Sequence, residues 1–244
     1  MTSQNYNVKN FFKNQLLAAL PPDELKRITS KMQEVDLAFN TGIYKLGENI
    51  EHVYFPISGI ISLLAAVDKG HTTEVGIVGR EGMVGLPIFL GVKKSHVQAV
   101  VQGNGTAMRI LASDFETVCS RSDALNSVLR RFANSMMVQI SQSAICFRFH
   151  DIDQRLARWL LMTSDRMEMM EFRVTQEFLS NMLGVRREAV NRAAKSLQNA
   201  SLVVNRRGSI SIVDRAKLEE AACVCYSVIR NDESIDLAAN AAQT

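Results

Sequence analysis

The hydrophobic positions follow two rhythms, and the switch between them divides the chain. From Glu34 to Ile110, short apolar runs (VDLAF, HVYFP, GIISLLAAV, TEVGIV, HVQAVVQ, TAMRI) recur between Gly, Asn and Asp turns. Short runs at this spacing predict an all-β sandwich or barrel. Ahead of them, residues 1–10 are polar and expected to be loose. Phe11–Leu20 and Pro22–Lys31 read as short helices either side of the Pro21-Pro22 break. Pro22 suits a first helical turn, and Asp23 and Glu24 are favourable at its positive end.

After Ile110 the period becomes helical. Ser113-Asp-Phe-Glu116 has capping-box spacing and predicts a helix start at Ser113. Leu125, Leu129, Phe132, Met136, Ile140, Ser143 and Phe147 then recur at steps of three and four, close to a heptad seam. A helix lying on its own domain would show a similar stripe. A seam between two copies is the favoured reading. Asp151 and Asp153 mark a break, Asp153–Met170 reads as an amphipathic helix carrying Trp159, and Glu171–Arg173 as a linker. Leu218–Arg230 predicts a closing helix, and 231–244 a flexible tail.

The stretch Thr175–Lys195, TQEFLSNMLGVRREAVNRAAK, packs two short helices around Gly184. Thr175 is a natural N-cap, and Gly184 falls where a left-handed residue ends the first helix. Leu179, Leu183, Val185, Val190 and Ala193 are the apolar positions, and Ser180 is small where the helices must approach. The second helix leaves Arg186, Arg187, Glu188, Asn191, Arg192 and Lys195 on the remaining faces. These are side chains able to read base edges. Two helices so joined predict a helix-turn-helix, which lays its second helix in the major groove. Leu202–Val213, LVVNRRGSISIV, then reads as strand, turn, strand, a wing that brings Arg206 and Arg207 to the phosphates. With Thr175 and Gln176 at the entry of the first helix, these residues form the predicted DNA-binding set.

Charge sharpens this reading. From Arg173 to Lys217 there are nine Lys/Arg against three Asp/Glu, a local net of +6, while all 244 residues sum to only +3. Positive charge is concentrated where DNA would lie. The chain is therefore expected to be α+β: an all-β domain over 11–112, a dimerisation helix over 113–150 and a winged helix-turn-helix over 151–230. No run of about 18 apolar residues predicts a membrane span, and the N-terminus lacks a signal-peptide pattern, so a cytoplasmic protein is expected.

This order of parts resembles the Crp/Fnr family of bacterial transcription regulators over about residues 15–230, which implies that the all-β domain is a jelly-roll-like β-roll sensor. The helix VRREAVNRAAKSL resembles the family's R-E-x-V-x-R core, placed on Arg187, Glu188, Val190 and Arg192. The resemblance implies base contacts by Arg187, Glu188 and Arg192. It also implies a homodimer on double-stranded, pseudo-palindromic DNA, with RNA polymerase as a further partner if the protein activates. One departure is Arg186, where the family usually has a capping Ser or Thr. The roll resembles the family less closely. Gly79–Pro87, GREGMVGLP, with Lys94-Ser95, aligns with the phosphate-binding cassette of cyclic-nucleotide pockets, so Gly82, Met83, Gly85, Lys94 and Ser95 are the effector-pocket candidates. Where cAMP-binding members carry a Glu for the ribose hydroxyl and an Arg for the phosphate, Met83 and Lys94 stand here. A thioether does not replace the carboxylate, and Lys lacks the bidentate fork of Arg. Binding of cAMP or cGMP is not expected, and the effector is left unidentified. The segment reads first as a turn and short helix kept for the fold.

Four cysteines, Cys119, Cys146, Cys223 and Cys225, fit neither a secreted disulfide framework nor the N-terminal iron–sulfur ligands of the family's oxygen sensors. Cys223 and Cys225 would point to different faces of one helix, and His52, His71, His96 and His150 show no ligand spacing, so no metal or cofactor is expected. The rival readings are a cupin-type metal-dependent enzyme, which needs clustered His and Glu ligands, and a DNA-binding regulator whose roll is only a dimer scaffold. The leading reading is not an enzyme.

Overall fold

The computed structural model describes residues 8–68 and 71–241, with side chains described for 11–66 and 72–233. The loose start expected for residues 1–7 and the end of the tail at 242–244 lie outside the described residues. A 3₁₀ turn, Val8–Lys13, leads into α1 (Gln15–Ala18) and α2 (Pro22–Thr29). Buried Asn14 caps α1 by accepting from Leu17 N, and its amide donates to Pro56 O and Gly82 O, both at 2.9 Å. This one side chain fastens the N-terminal helices to the roll.

The roll is built from β1 (Gln33–Leu37), β2 (Gly42–Tyr44), β3 (His52–Pro56), β4 (Ile60–Asp68), β5 (His71–Val78), α3 (Leu86–Phe89), β6 (Gln98–Gly103) and β7 (Gly105–Leu111). Two antiparallel sheets, β1-β7-β3 and β2-β6-β4-β5, enclose a core of Phe55, Ile61, Val101, Met108 and Ile110. The apolar runs fall on these strands; only the three-residue β2 lacked a run long enough to announce it. β7 passes directly into α4 (Ala112–Cys119), so the predicted start at Ser113 moves forward. Leu111 holds the cap position without a side-chain bond, and Ser113 lies inside the first turn.

α5 (Asp123–Phe149) is capped by Ser122, whose hydroxyl accepts from Leu125 N at 3.1 Å. Its apolar stripe corrects the seam expectation. Leu125, Leu129, Phe132 and Met136 are buried in the chain's own roll core, and Ser143 is buried too. The partner taking this face is edge strand β5. Gln139, also on it, accepts from Ile77 N at 2.6 Å and donates to Ile77 O at 3.3 Å. Phe147 is half-buried beneath the Arg155 guanidinium, 4.9 Å from its ring centroid. Ile140 alone of the predicted seam is exposed, and it belongs to another apolar line with Met137, Ala144, Ile145 and Phe149, of which Met137 is 64% and Phe149 72% exposed.

α6 (Ile152–Met167) opens with a capping box between Asp151 and Gln154 and ends at Glu168, whose φ of 54° stops it. The supposed linker Glu171–Arg173 is a strand, β8, and joins β9 (Val203–Arg206) and β10 (Ser209–Ile212) in the order β8-β10-β9. Between them lie α7 (Gln176–Leu183) and α8 (Arg187–Asn199). The closing helix is two helices, α9 (Arg215–Ala221) and α10 (Cys225–Ala241), so 231–241 extends a helix rather than starting a flexible tail. Asp232 in that stretch accepts from Ser135 Oγ of α5 at 2.6 Å. The break between α9 and α10 also corrects the cysteine reading. Cys223 precedes α10 and Cys225 begins it, so both sulfurs turn toward Cys146 and His150.

Candidate nucleic-acid interface

Thr175 caps α7, its hydroxyl accepting from Phe178 N at 3.1 Å. Gly184 ends α7 at φ 61°, and a Cβ there would lie 2.9 Å from Thr73 Oγ1 of β5. Glycine is thus required twice, for the left-handed turn and for the approach of the hairpin. Leu179, Ser180, Leu183, Val190 and Ala193 are buried as the pattern predicts, with Val185 half-buried. Arg155, buried on α6, donates to the carbonyl of Leu183 and satisfies one of the orphan acceptors at the end of α7. Phe178 bridges Trp159 of α6 and Phe39 of the roll, with ring centroids 6.5 Å and 5.7 Å away.

With its apolar face so occupied, α8 turns the other outward. Arg186, Arg187, Glu188, Asn191, Arg192 and Lys195 are all exposed. Arg186 occupies the N-cap at φ −70° and ψ 150° and makes no side-chain cap bond, so the first amides of α8 lack the usual hydroxyl acceptor. Glu188 in the first turn offsets part of the positive end. Across from α8 the wing turns at Gly208, φ 81°, and exposes Arg206 and Arg207. One cleft is lined by Thr175, Gln176, Arg187, Arg206, Arg207 and Asn205, among others. Arg186, Glu188 and Arg192 line the opposite flank of the same helix. Of the predicted DNA-binding set, the structure brings Thr175, Gln176, Arg187, Arg206 and Arg207 together on the cleft, where helix and wing meet, while Arg186, Glu188 and Arg192 lie on the other flank of α8 and Asn191 and Lys195 are exposed on the same helix. Asn205, missed in the sequence, sits on that cleft, and its backbone N–H donates to Gln198 Oε1 at 2.9 Å, tying wing to helix.

The cassette behaves otherwise. Met83 is 1% exposed and belongs to the roll core. A Cβ on Gly82 would lie 2.2 Å from the Phe132 ring, so Gly82 serves the seating of α5. Gly85 precedes α3 at φ 106°. Ser95 is buried and donates to Val97 O at 2.6 Å, while Lys94 is exposed. Gly85 and Ser95 both hydrogen-bond the buried Tyr44 hydroxyl, whose pKa burial still pushes up to about 12.

The roll–reader junction holds a polar chain. Ser62 Oγ lies 2.6 Å from Glu74 Oε2 and 2.5 Å from Gln102 Oε1. One hydroxyl proton cannot serve both oxygens. A protonated Glu74 resolves this by donating to Ser62, which donates to Gln102. Gln102 Nε2 in turn donates to Thr163 Oγ1 of α6 at 3.4 Å. Burial raises the Glu74 pKa to about 7, against the opposing pull of Ser62 and Arg158.

Two domain patterns match this architecture: the cyclic nucleotide-binding domain over residues 35–122 and the Crp-like helix-turn-helix domain over residues 154–221. The chain belongs to the Crp/Fnr family of transcription regulators. Among its relatives is a CRP-like cAMP-activated global transcriptional regulator of Mycobacterium tuberculosis, 24% identical over 220 residues, which cover 85% of this chain and 96% of that protein. FixK2 from Bradyrhizobium japonicum shares the fold with a TM-score of 0.68 at 15% identity, over 79% of this chain and 98% of that one. A CRP-family transcriptional regulator from Thermus thermophilus does so with a TM-score of 0.64 at 17% identity, over 77% and 96%. Among the described residues no helix is long and apolar enough to cross a membrane.

Proposed function

We propose that this Crp/Fnr regulator acts as a homodimer on a pseudo-palindromic DNA site. In this reading Arg187, Glu188 and Arg192 meet base edges, and Arg206 and Arg207 meet phosphates. The observation that carries the proposal is the cleft on which Arg187 of α8 stands with Arg206 and Arg207 of the wing, with Glu188 and Arg192 exposed on the neighbouring flank of α8. Thr175, Gln176, Asn191 and Lys195 flank the contact, and DNA phosphate supplies the acceptor that Arg186 does not give to the first amides of α8.

The dimer contact is the exposed line Met137, Ile140 and Ala144 of α5, with Ile145 and Phe149 beside it. Steps of three and four suit a helix pair, and two-fold pairing spaces the readers about 34 Å apart, one turn of DNA. A signal in the roll acts by shifting how α5 and the reader sit, a population shift that the junction chain from Ser62 to Thr163 is placed to transmit. The signal is not cAMP, the activator named for the mycobacterial relative. Met83 is core and Lys94 is exposed and lacks the bidentate fork, so the family's carboxylate and arginine have no counterparts here. Contact with RNA polymerase follows if the protein activates. Against the cupin-type enzyme, the described residues hold one cluster of three or more candidate metal ligands, and it lies outside the roll.

Selection of bound fragments from the source genome tests the reading. A two-fold motif with half-sites one DNA turn apart is expected, lost together with dimer mass in Ile140→Glu. A motif without two-fold symmetry, or an unaltered dimer in that variant, would overturn it.

A further inference from the structure

Three parts of the chain end at one point behind the reader. Cys146 lies in the last turn of α5, His150 breaks the chain before α6, and Cys223 and Cys225 straddle the start of α10. Cys146 and His150 are four residues apart, which keeps them on one side of the final turn. The break at Ala222 lets Cys223 and Cys225 converge, where a continuous helix would have parted them. Cys146 Sγ lies 3.5 Å from Cys223 Sγ, and Cys225 Sγ lies 3.6 Å from His150 Nδ1. One ligand atom from each of the four lies within 4.8 Å of every other, and all three thiols are buried.

These lengths discriminate between chemistries. A tetrahedral zinc ion, with Zn–S of about 2.3 Å and Zn–N of about 2.0–2.1 Å, sets sulfurs about 3.8 Å apart and sulfur from nitrogen about 3.6 Å. Both measured contacts are close to those edges, and the remaining ligand atoms need to close by no more than about an ångström. An iron–sulfur cluster requires its ligands to surround several metal and sulfide atoms, and so to stand farther apart. A Cys146–Cys223 disulfide would use two of the four groups and leave the Cys225–His150 contact without a role.

Charge points the same way. Arg155 and Arg158 are buried on the first turns of α6, and the Nε of each has no hydrogen-bond partner among the described residues. The Arg158 guanidinium acts electrostatically on Cys146, Cys223 and Cys225. A buried guanidinium is costly without a negative counterpart. Glu74, the carboxyl group that Arg158 also acts on, is held toward the neutral form by burial. Three thiolates, one neutral imidazole and one divalent cation together carry a net negative charge, which supplies the counterpart.

We propose that Cys146, His150, Cys223 and Cys225 hold one zinc-class divalent cation as a Cys₃His site. The ion pins the end of α5 and the start of α10 to the root of α6, the helix that carries the reader. Filling the site fixes the reader on α5, and removing the ion loosens it.

The test uses the full chain, purified under reductant, loaded with zinc and then dialysed, with cobalt(II) as a spectroscopic probe. One zinc per chain is expected, and cobalt should give tetrahedral bands with sulfur-to-cobalt charge transfer. Cys223→Ser and His150→Ala should weaken metal binding beyond the about 10–100-fold that loss of a supporting residue costs. Cys119→Ser, away from the cluster, should bind as the unaltered chain does. Failure to retain zinc, retention unchanged in Cys223→Ser, iron with acid-labile sulfide, or a Cys146–Cys223 disulfide persisting under reductant would each overturn the proposal. Should Cys223→Ser not fold, the cobalt spectrum of the unaltered chain decides, and absence of sulfur-to-cobalt charge transfer overturns it.

Discussion

In α8 every charged residue of the family motif stands in solvent, whereas in the cassette Met83 is sealed in the core and only Lys94 is exposed among the positions where the family carries its charged pair. Both segments are short, begin at a turn and pack against a helix. They differ in what the packing consumes. α8 commits Val190, Ala193, Ala194 and Leu197 to its neighbours and keeps a polar face free. The cassette commits its motif positions themselves, Gly82 beneath Phe132 and Met83 in the roll. A motif thus keeps its chemistry only where the fold is held by residues outside it.

The most disruptive test of that contrast is Met83→Ala. As a core residue it should cost about 2–5 kcal/mol in denaturant unfolding, transfer and cavity terms together. A cost under about 1 kcal/mol would make Met83 a pocket lining instead. Met83→Glu, which restores the family's carboxylate, should unfold more readily still and gain no cAMP affinity by calorimetry, because its charge would be buried without a partner.

Next in size is the junction. Glu74 has an ordinary pKa of 4.5 when unfolded and about 7 when folded. Between these values the folded chain holds a proton the unfolded chain has released. Its stabilising contribution is therefore complete below pH 4.5 and is lost as pH rises to about 7. The loss is about 3 kcal/mol at 1.36 kcal/mol per pH unit. Unfolding measured across this window should show Glu74→Gln flatter than the unaltered chain by about that amount. Parallel curves would place a charged carboxylate in the junction and undo the proton order drawn from Ser62 and Gln102.

The sequence revealed these regions unequally, for physical reasons. The reader was legible because its signals are local: Thr175 and Gly184 delimit a helix by backbone rules, and burial follows steps of three and four. The strands of the roll were legible for the same reason. The heptad-like stripe on α5 could not say which partner it met, since a helix on β5 and a helix on its copy ask for the same spacing. The burial of Leu125, Leu129, Phe132 and Met136 in the roll core, with Gln139 bonded to Ile77, shows that the roll takes that face. β8 was too short to be told from a linker, and becomes a strand only by pairing with β10 across Phe172 and Ile210. Cys146 and His150 stand more than seventy residues from Cys223 and Cys225, so no spacing rule joined them; the four-residue step from Cys146 to His150 was the one local clue.

On the reader itself the effects are smaller and depend on the base. Arg187→Ala should leave stability within about 0.5 kcal/mol, as an exposed substitution does. It should cost about 1–3 kcal/mol of discrimination at one base position in each half-site, read by competition between altered sites. Loss spread evenly over all sequences would move Arg187 from the bases to the backbone.

Arg206→Ala divides helix from wing with the smallest change. A phosphate contact carries no sequence information, so the order of preferred sites should be kept while every site weakens together. The slope of log affinity against log salt should flatten by about one, for one fewer counterion released. Arg187 and Arg206 line the same cleft, so geometry alone does not divide their work. The salt titration does. If Arg206→Ala relaxed one base position and left the slope as it was, the wing would be reading sequence, and the free face of α8 would share its task with the turn at Gly208.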